Sequence, residues 1–385
     1  MSHDFGSCET VTPRRAAATL GRAGFREARL TDYEGIAALQ TRHDLATSSY
    51  GEWAALWAEN PAYLRAADRP ALGWVVEDAS GAIVGYLGNL PLAYSFKGRN
   101  LIAATVFSWA VDAPHRGYSL RLLDRFLRQA NVDLIVCATV NAVSARAYSA
   151  FGFAKAPAGV WDTSGYWITG YRGFARAALK SISAPMPGPL AYPVSAGLYV
   201  RDVFSSRPRR NSTAGLELCP TFDGRFDSFW DELKFEKRGQ LLAVRDRETL
   251  DWHFRRALAS STLWIVTASR AGRMAAYAVF DHQDHPPTGL KRIRIADFQA
   301  LRGSEDLIEP IIAWALEKCR LEKIDMLEQA GCWLDGLRVP GVAPPHRRKL
   351  KSWMCYYRIA EKGLARELRQ PGVWTPSSYD GDASL

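Results

Sequence analysis

The chain has 385 residues, a length that fits two domains of about 150 to 200 residues better than one. Its 48% hydrophobic and 23% charged residues are typical of a globular protein, and no apolar run reaches the roughly 20 residues of a membrane-spanning helix. The net charge of +9 favours anionic partners, but it equally suits a nucleotide cofactor, an acidic substrate, a membrane surface or nucleic acid.

The first part of the chain divides into a leader and a series of regular elements. Residues 1–24 contain arginines but no apolar core of signal-peptide length, so we expect a disordered leader in a cytoplasmic protein. The apolar pattern then predicts a strand, two helices of which the second is rich in tryptophan, three strands and a helix. Apart from the tryptophan-rich stretch, these lie at residues 25–30, 33–42, 73–78, 82–90, 100–111 and 120–131. The strand at 100–111 is long, apolar and β-branched, which predicts a central place in a sheet.

A seven-residue loop, APHRGYS at residues 113–119, joins the central strand to the next helix. The N-terminus of a helix binds phosphate well because its first backbone N–H groups have no partner within the helix. Arg116 adds a positive charge, and Ser119 can offer its own N–H and hydroxyl groups. The loop therefore predicts a pyrophosphate site, although a plain strand-to-helix turn with exposed arginines explains the same residues.

A strand followed by a capped helix comes next. Residues 133–140 are apolar and β-branched, which predicts a buried strand, and the sequence NAVSARAYSAFGF follows it. Asn141 or Ser144 can cap a helix that carries Tyr148. Gly152 can then end this helix, because glycine adopts the left-handed conformation easily. A half-buried tyrosine on an ordinary amphipathic helix is the alternative interpretation.

The Asn, Tyr and Gly-Phe of this segment, and the order of elements before it, resemble the GCN5-related N-acetyltransferases over about residues 25–175. The resemblance implies an α/β (α+β) fold in which helices flank a mixed, mostly antiparallel central sheet. It implies acetyl-CoA, or another acyl-CoA, as the cofactor that donates an acyl group to an amine. In this family the tyrosine protonates the departing thiolate and the asparagine helps to hold the cofactor arm, and Tyr148 and Asn141 are the matching positions.

The loop departs from the pattern of the family it resembles. Family members usually carry Arg or Gln, two residues of any kind, Gly, one further residue, and then Gly or Ala. Arg116 and Gly117 match, whereas Ser119 and Arg121 stand where small residues are expected. Arg121 must then point away from the phosphate or cover it with positive charge. We predict cofactor contacts from Ala110, Val111, Arg116, Gly117, Tyr118, Ser119, Leu120, Asn141 and Ser144.

Acyl transfer to an amine requires a polarised thioester carbonyl, an acid for the thiolate and a base for the amine. Direct attack needs no covalent enzyme intermediate. Backbone N–H groups near Trp109, Ala110 and Val111 could hold the carbonyl oxygen where the central strand splays from its neighbour. No Asp or Glu lies in residues 101–111, and Asp112 is the nearest carboxylate for a catalytic base, although Asp is also a common turn residue.

The second half of the chain repeats the pattern after a change in composition. Residues 181–213 are rich in proline and contain an arginine cluster, so we predict a linker between a domain at 25–180 and a second domain at 214–370. The second domain carries two helices, three strands, a helix and a strand, which predicts an internal duplication of the fold. These elements lie at residues 226–233, 248–257, 262–269, 274–281, 291–301, 305–321 and 323–329. Because this half lacks the phosphate loop and the Asn-to-Tyr spacing, we expect a degenerate domain that has lost its cofactor and shapes the acceptor site or a dimer surface.

The C-terminal residues carry two polar features. The basic run HRRKLK at 346–351 precedes an apolar strand at 353–359 and could bind an anion or RNA, but a solvated charged loop is the commoner explanation. The short polar tail at 371–385 contains Trp374 and the sequence Asp-Gly-Asp, which resemble the endings of tandem acetyltransferases found with polysaccharide genes. Six cysteines without CxxC spacing and seven histidines without an HxH or HExxH pair predict neither a disulfide framework nor a metal site.

The whole sequence predicts a cytoplasmic tandem-domain N-acetyltransferase that uses acetyl-CoA and a small-molecule or sugar amine, and that could form a homodimer. An aminoacyltransferase of the two-domain peptidoglycan type would use charged tRNA and explain the excess of Arg and Lys, but it expects a long helical arm that the sequence does not show. Under the leading prediction no nucleic acid is a partner. A non-catalytic binding or scaffold protein would explain Ser119, Arg121 and the missing base. Burial of the Tyr148 hydroxyl in a packed interior, or a groove filled by the protein's own side chains, would argue against catalysis.

Overall fold

The structure is a computed structural model, and it describes residues 24–157, 162–205, 215–331, 343–350 and 354–385. Its helices are α1 Tyr33–Arg42, α2 Tyr50–Ala58, α3 Pro61–Leu64, α4 Ser119–Leu127, α5 Ala142–Ala150, α6 Tyr171–Ser181, α7 Pro187–Ser205, α8 Gly224–Glu236, α9 Arg247–Ala259, α10 Ile308–Leu321 and α11 Lys362–Glu367. Its strands are β1 Gly24–Glu27, β2 Gly73–Glu77, β3 Ile83–Phe96, β4 Arg99–Val111, β5 Leu134–Val140, β6 Ala154–Lys155, β7 Thr163–Ile168, β8 Leu216–Cys219, β9 Leu242–Ala243, β10 Leu263–Arg270, β11 Arg273–His282, β12 Arg292–Ala300, β13 Met326–Ala330, β14 His346–Lys349 and β15 Met354–Ile359. Short 3₁₀ helices cover Leu30–Asp32, Ala113–Tyr118 and Glu305–Leu307.

The strands form two sheets of similar plan. The first sheet has the order β1-β2-β3-β4-β5-β15-β6, with β9 beside β3, and the second has the order β14-β7-β13-β12-β11-β10-β8. In each sheet one neighbouring pair, β4 with β5 or β12 with β13, runs parallel, and the other described pairs run antiparallel. The predicted fold class, with two mixed and mostly antiparallel sheets flanked by helices, is confirmed.

Three strands from one half of the chain join the sheet of the other half: β7, β15 and the short β9, which pairs with β3. β7 lies between β13 and β14 in the second sheet, although it comes from the first half of the chain. β15 lies between β5 and β6 in the first sheet, although it follows the second sheet in sequence. The predicted domains at 25–180 and 214–370 therefore each complete the sheet of the other, and α7 lies within the predicted linker at 181–213.

Two of the predicted helices begin at side chains that cap them. The hydroxyl of Ser49 accepts a hydrogen bond from the N–H of Glu52, whose carboxylate in turn accepts from the N–H of Ser49. The Asp246 carboxylate accepts from the N–H of Thr249 at 2.9 Å. Such contacts satisfy N–H groups that have no partner within the helix, so the start of each helix can be read from local sequence.

β3 is longer than predicted, because it continues through Pro91 to Phe96. β2 pairs with β3 only as far as Gly88, and the next N–H on that side, from Asn89, donates to Leu72 outside the strand. Alternation along a strand places the nitrogen of Pro91 on the same side as that of Asn89. The missing N–H of Pro91 therefore removes no bond to β4, and proline is tolerated here.

One hydrophobic core joins the two halves and the C-terminal tail. Its aromatic members include Trp53, Trp57, Tyr86, Tyr94, Phe226, Trp252, Tyr277, Trp374 and Tyr379. Smaller cores lie between the first sheet and α4 and α5, and between the second sheet and α10. The tail at 371–385 is therefore packed into the shared core through Trp374 and Tyr379, which the polar composition of this segment did not indicate.

Candidate functional site

The parallel strands β4 and β5 separate soon after they meet. They pair only at Ala103 with Leu134 and at Ala104 with Ile135. Beyond these pairs, β4 continues to Val111 without a further described pairing to β5. Along this stretch no described strand neighbours β4 on that side to pair with its backbone N–H and C=O groups. The predicted splay of the central strand is therefore present in the first sheet.

A β-bulge lies on the far side of β4 from this split. Leu87 pairs with Trp109 and Gly88 pairs with Phe107, so Ser108 is the extra residue, and its φ is +60°. A Cβ on Gly88 would lie 2.1 Å from the carbonyl oxygen of Phe107, so only glycine fits opposite the bulge. Because a bulge increases local twist, it turns the backbone of the residues that follow, where the predicted carbonyl donors lie.

The side chain of Ser108 is held from α1. The Gln40 amide nitrogen donates a hydrogen bond to the Ser108 hydroxyl at 2.9 Å, and Gln40 is itself buried. A non-glycine residue with positive φ is strained, so it persists only where neighbouring contacts support it. The hydrogen bond from Gln40 therefore stabilises the bulge and connects it to α1.

The predicted phosphate loop is wound into a 3₁₀ helix, Ala113–Tyr118, that runs directly into α4. The N–H of Ser119 donates to the carbonyl of Arg116, so this amide is used within the helix rather than left open. A Cβ on Gly117 would meet nothing within 4 Å, which leaves that side of the loop open. Arg116 and Leu120 are exposed, and Tyr118 and Ser119 are half-buried.

The loop presents positive charge to its surroundings. The described residues provide no ion-pair partner for Arg116 or Arg121, and the Arg121 guanidinium lies 5.4 Å from the centre of the Tyr118 ring. Arginine binds phosphate through paired N–H donors, so two such side chains can replace amides that the 3₁₀ helix consumes. A phosphate at this loop would therefore depend on side chains more than the sequence predicted.

The cap of α5 uses both predicted polar residues. The Asn141 side-chain oxygen accepts from the N–H of Ser144 at 2.9 Å, and the Ser144 hydroxyl accepts from the N–H of Asn141 at 3.2 Å. At the other end Gly152 has φ of +79°, and the N–H of Phe153 donates to the carbonyl of Tyr148. The predicted cap and terminator of this helix are confirmed.

Tyr148 lies in a packed environment. It is 4% exposed, and its ring centre lies 4.7 Å from that of Phe153 and 6.4 Å from those of Trp109 and Tyr356. Its hydroxyl contacts the thiol of Cys137 on β5. Burial raises the pKa of Tyr148 well above its ordinary value, and Cys137 adds to this effect. In this conformation the phenol is occupied by the protein's own sulfur, which is the arrangement that we expected to count against catalysis.

Asp112 is engaged by basic side chains. Its carboxylate forms an ion pair with Arg42 at 2.8 Å and contacts the His43 ring nitrogen at 3.1 Å. Although burial alone would raise it, the hydrogen bonds from Arg42 and His43 hold the pKa of Asp112 below its ordinary value. A less basic carboxylate is a weaker proton acceptor, so these contacts disfavour Asp112 as the catalytic base.

A second carboxylate approaches the split from the C-terminal tail. Asp382 accepts a hydrogen bond from the Thr139 hydroxyl and another from the N–H of Ala138 at 3.3 Å. Both partners lie on β5 beyond its last pair with β4. Burial raises the pKa of Asp382, which stays partly exposed. The charge of Asp382 also contributes to the raised pKa of Tyr148 and of Cys137.

Arg245 fixes the tail that carries Asp382. Its guanidinium is 1% exposed and contacts Asp297 of β12 at 2.7 Å and Asp380 of the tail at 3.4 Å. Asp380 also accepts from the N–H of Ser377 at 2.7 Å. The sequence showed the Asp-Gly-Asp segment but gave no sign that it reaches β5, because the contacts join residues far apart in the chain.

The second sheet repeats the split without the phosphate loop. β12 and β13 pair from Arg292 with Met326 to Arg294 with Glu328, and no later pair joins them among the described residues. The turn after β12 carries Asp306, which binds Arg270 at 2.8 Å. Acidic residues at a helix start disfavour phosphate there.

The basic run at 346–351 lies mostly in the edge strand β14 and not in a solvated loop. The Arg348 guanidinium binds the buried carboxylate of Glu328, which also binds Arg294 at 2.8 Å and Arg292 at 3.2 Å. Although burial alone would raise it, these arginines lower the pKa of Glu328 to about 2. His346 is buried against Asp202 of α7. Much of the charge in this run therefore has structural partners.

The residues at the first split fit an acyl-CoA. The Trp109 indole nitrogen is buried and has no hydrogen-bond partner among the described residues, so a polar group of a ligand could satisfy it. Arg116 and Arg121 suit phosphates, and the unpaired backbone of β4 suits the amides and carbonyl of an extended arm.

Across the described ranges no cluster of three or more His, Cys, Asp and Glu could hold a metal ion. Nor does any helix in those ranges combine the length and apolar character needed to cross a membrane.

Comparisons with known proteins show likeness at the level of structure. No family model matches the sequence, and no curated protein matches it. A GCN5-related N-acetyltransferase from Anabaena variabilis has a TM-score of 0.54 and 13% identity, covering 88% of this chain and 73% of that chain. A probable N-acyltransferase from Enterococcus faecalis has a TM-score of 0.54 and 11% identity, covering 88% and 72%. N-myristoyltransferase from Saccharomyces cerevisiae, solved with bound myristoyl-CoA and inhibitors, has a TM-score of 0.51 and 11% identity, covering 88% and 80%. The chain therefore has the GCN5-related N-acetyltransferase fold, in an arrangement of two tandem sheets.

Proposed function

We propose that the protein is an acyl-CoA-dependent N-acyltransferase whose first half binds the donor. The observation that carries this proposal is the split between β4 and β5, which has the cationic loop at the end of β4 and Tyr148 on the helix after β5. The neighbours of the same fold support the reaction class, because each is described as an N-acyl- or N-acetyltransferase or as an N-myristoyltransferase.

The side chains around the split supply the positions that acyl transfer needs. A bound acyl-CoA supplies an activated thioester. Backbone N–H groups near Trp109, Ala110 and Val111 would donate hydrogen bonds to its carbonyl oxygen. Tyr148 stays protonated because its pKa is raised, so it can donate a hydrogen bond to the leaving sulfur. Arg116, Gly117, Tyr118, Ser119, Leu120, Asn141 and Ser144 remain our proposed contacts to the rest of the donor.

We assign the base to Asp382 in place of Asp112. Its raised pKa makes the carboxylate a better proton acceptor, and it lies against β5 in the separated part of the split. In the balanced step, the amine nitrogen forms a bond to the carbonyl carbon and loses a proton to Asp382. The carbon–sulfur bond breaks, and the sulfur leaves with the electron pair beside the Tyr148 hydroxyl.

We propose acetyl-CoA as the donor and a small-molecule or sugar amine as the acceptor. The space beside the bulge is tightly filled, since a Cβ on Gly88 would lie 2.6 Å from the Tyr86 hydroxyl. Tyr86 and Trp53 are also almost fully buried there. Close packing behind the carbonyl position favours a short acyl group.

One observation favours a non-catalytic binding protein as the second candidate. Tyr148 is 4% exposed and its hydroxyl contacts Cys137, so these two side chains must separate before the hydroxyl can reach the sulfur of a bound donor. A chain that had lost catalysis could keep this contact permanently. Binding of the donor therefore has to be measured separately from turnover.

The test combines calorimetry with a thiol-release assay. The full chain is titrated with acetyl-CoA and then assayed with amino sugars and polyamines. We expect binding and release of free thiol, and Tyr148→Phe should lower kcat at least about tenfold with little change in donor Kd, because the hydroxyl acts on the leaving group.

Tyr192→Phe serves as the matched control, since this exposed tyrosine lies on α7 and outside the proposed site. Donor binding without turnover by any amine would favour the non-catalytic candidate. Absence of binding to acetyl-CoA, CoA and myristoyl-CoA alike would refute the proposal.

A further inference from the structure

The hairpin formed by α6 and α7 exposes a large share of the apolar surface of the protein. Sixteen large hydrophobic side chains are exposed in the described residues, and eight of them lie between 182 and 203. They are Ile182, Met186, Leu190, Tyr192, Val194, Tyr199, Val200 and Val203. Exposed apolar residues are normally scattered singly, so this concentration indicates an interaction surface.

α7 has one docked side and one free apolar side. Ala191 and Asp202 are buried, and Asp202 binds His346 of β14. Tyr192, Tyr199 and Val203 are spaced by seven and four residues, which places them on one face of the helix. These three side chains are each more than half exposed. The helix is therefore held by its polar contacts and presents its apolar face outward.

Cations lie beside this apolar face. Arg172, Arg176 and Lys180 follow each other at intervals of four residues on α6, and all three are exposed. The Arg172 guanidinium lies 4.3 Å from the centre of the Tyr192 ring, so the cationic and apolar faces adjoin. Within the part of the chain that the structure describes, no ion pair engages these three cations. Asp202, the single carboxylate of the two helices, is 6% exposed and cannot offset them at the surface.

We propose that the α6–α7 hairpin docks on an anionic lipid surface. Apolar and aromatic side chains of an interfacial helix enter the boundary between headgroups and acyl chains, and arginine and lysine bind the phosphates. A second copy of this chain fits less well, because a two-fold contact would bring two cationic faces together. A nucleic acid would use the cations but leave Val200 and Val203 without apolar partners.

The experiment measures sedimentation of the full chain with lipid vesicles. Vesicles of phosphatidylcholine mixed with phosphatidylglycerol are compared with vesicles of phosphatidylcholine alone. We expect binding to the mixed vesicles only, with weakening as salt is added. The charge reversal Arg172→Glu, Arg176→Glu, Lys180→Glu should reduce the partition constant at least about tenfold, and Tyr199→Ser with Val203→Ser should do the same.

Matched variants test whether the position of the change matters. Phe235→Ser and Leu321→Ser remove apolar side chains that are even more exposed, from α8 and α10, and they should leave vesicle binding unchanged. Equal thermal unfolding temperatures of all variants confirm that the fold is retained. The thiol-release assay contains no lipid, so failure of this proposal leaves the proposed acyltransferase activity unaffected.

Three results would overturn the proposal. The first is absence of sedimentation with either vesicle. The second is a dimer in solution that Tyr199→Ser with Val203→Ser dissociates, which would assign the face to a second copy. The third is loss of vesicle binding on addition of soluble glycerophosphoglycerol, which would show a headgroup site without insertion.

Discussion

At the scale of single residues, the buried contacts of Arg245 decide where the C-terminal tail lies. The guanidinium is enclosed by Asp297 and Asp380, so its charge is balanced in a dry environment. Removing one partner of a buried ion pair leaves an uncompensated charge, which is far more costly than losing an exposed pair. The tail is therefore held firmly, and the Asp382 carboxylate is fixed against Ala138 and Thr139.

A substitution at Asp382 tests the proposed base. Burial raises the pKa of Asp382 above the ordinary value. A base acts only when deprotonated, so the rate should fall as the pH drops through this raised pKa, at higher pH than for an exposed Asp. Asp382→Asn should lower kcat at least about tenfold and abolish this acidic limb, with donor Kd unchanged. Steady-state kinetics across pH and calorimetry measure both effects.

Asp112→Asn is the matched control, because it removes the alternative carboxylate by the same chemical change. It should keep the pH profile of the unsubstituted protein. The titratable groups facing Asp382 are Cys137 on β5, Tyr148 on α5 and Cys355 on β15, and the pKa of each is raised. They stay neutral in the range where the limb is measured. An unaltered pH profile in Asp382→Asn, with turnover retained, would refute the assignment while leaving the acyltransferase proposal standing.

At the scale of elements, the bulge in β4 links backbone strain to the site. Ser108 has a φ of +60° and is supported by the hydrogen bond from Gln40. Glycine adopts this conformation freely, serine does so with support, and a β-branched residue does so only at a cost. The bulge therefore restricts which residue types fit at position 108, next to the proposed carbonyl donors.

Two substitutions of Ser108 separate backbone conformation from side-chain contact. Ser108→Val should lower the free energy of unfolding by about 1 to 3 kcal/mol, because valine is strained at positive φ and cannot bind Gln40. Ser108→Gly should retain the bulge and most of the stability. Urea unfolding measures the difference, and thiol release should fall more in the valine variant. Equal stability of the two variants would show that the bulge is not under strain.

At the scale of the whole molecule, the exchange of β7 and β15 makes each half depend on the other. Each sheet contains a strand from the opposite side of the predicted linker, and the largest core takes side chains from both halves and from the tail. Such a molecule buries much of its apolar surface only when both halves are present. One cooperative unfolding transition is therefore expected.

Separate expression of the two halves tests this dependence. Fragment 1–205 lacks β9 and β15 of the first sheet, and fragment 206–385 lacks β7 of the second, so neither should give a cooperative urea transition alone. Mixing or coexpression of the fragments should restore it. The control is the full chain, in which far-UV and near-UV signals should coincide. Independent cooperative unfolding of both fragments would contradict the interlocked arrangement.

Much of the first half could be predicted from local sequence. The cap by Asn141 and Ser144, the end of α5 at Gly152 and the long strand before the loop depend on neighbouring residues, so they appear in the sequence pattern. The extension of β3 through Pro91 could not be predicted, because it depends on where β2 stops pairing. The partners of Asp112 could not be predicted either, since Arg42 and His43 lie about seventy residues away in sequence.

The sequence by itself determined most of the longer helices and strands of the two sheets, the repeat of their order and the Asn-to-Tyr helix, because these follow from periodicity and capping within short segments. The tertiary structure alone decided that Tyr148 meets Cys137, that β7 and β15 change sheets, and that Asp382 reaches β5. Contacts of this kind join residues separated by long stretches of chain, and their energy depends on the packing of the whole molecule. No local pattern encodes that packing.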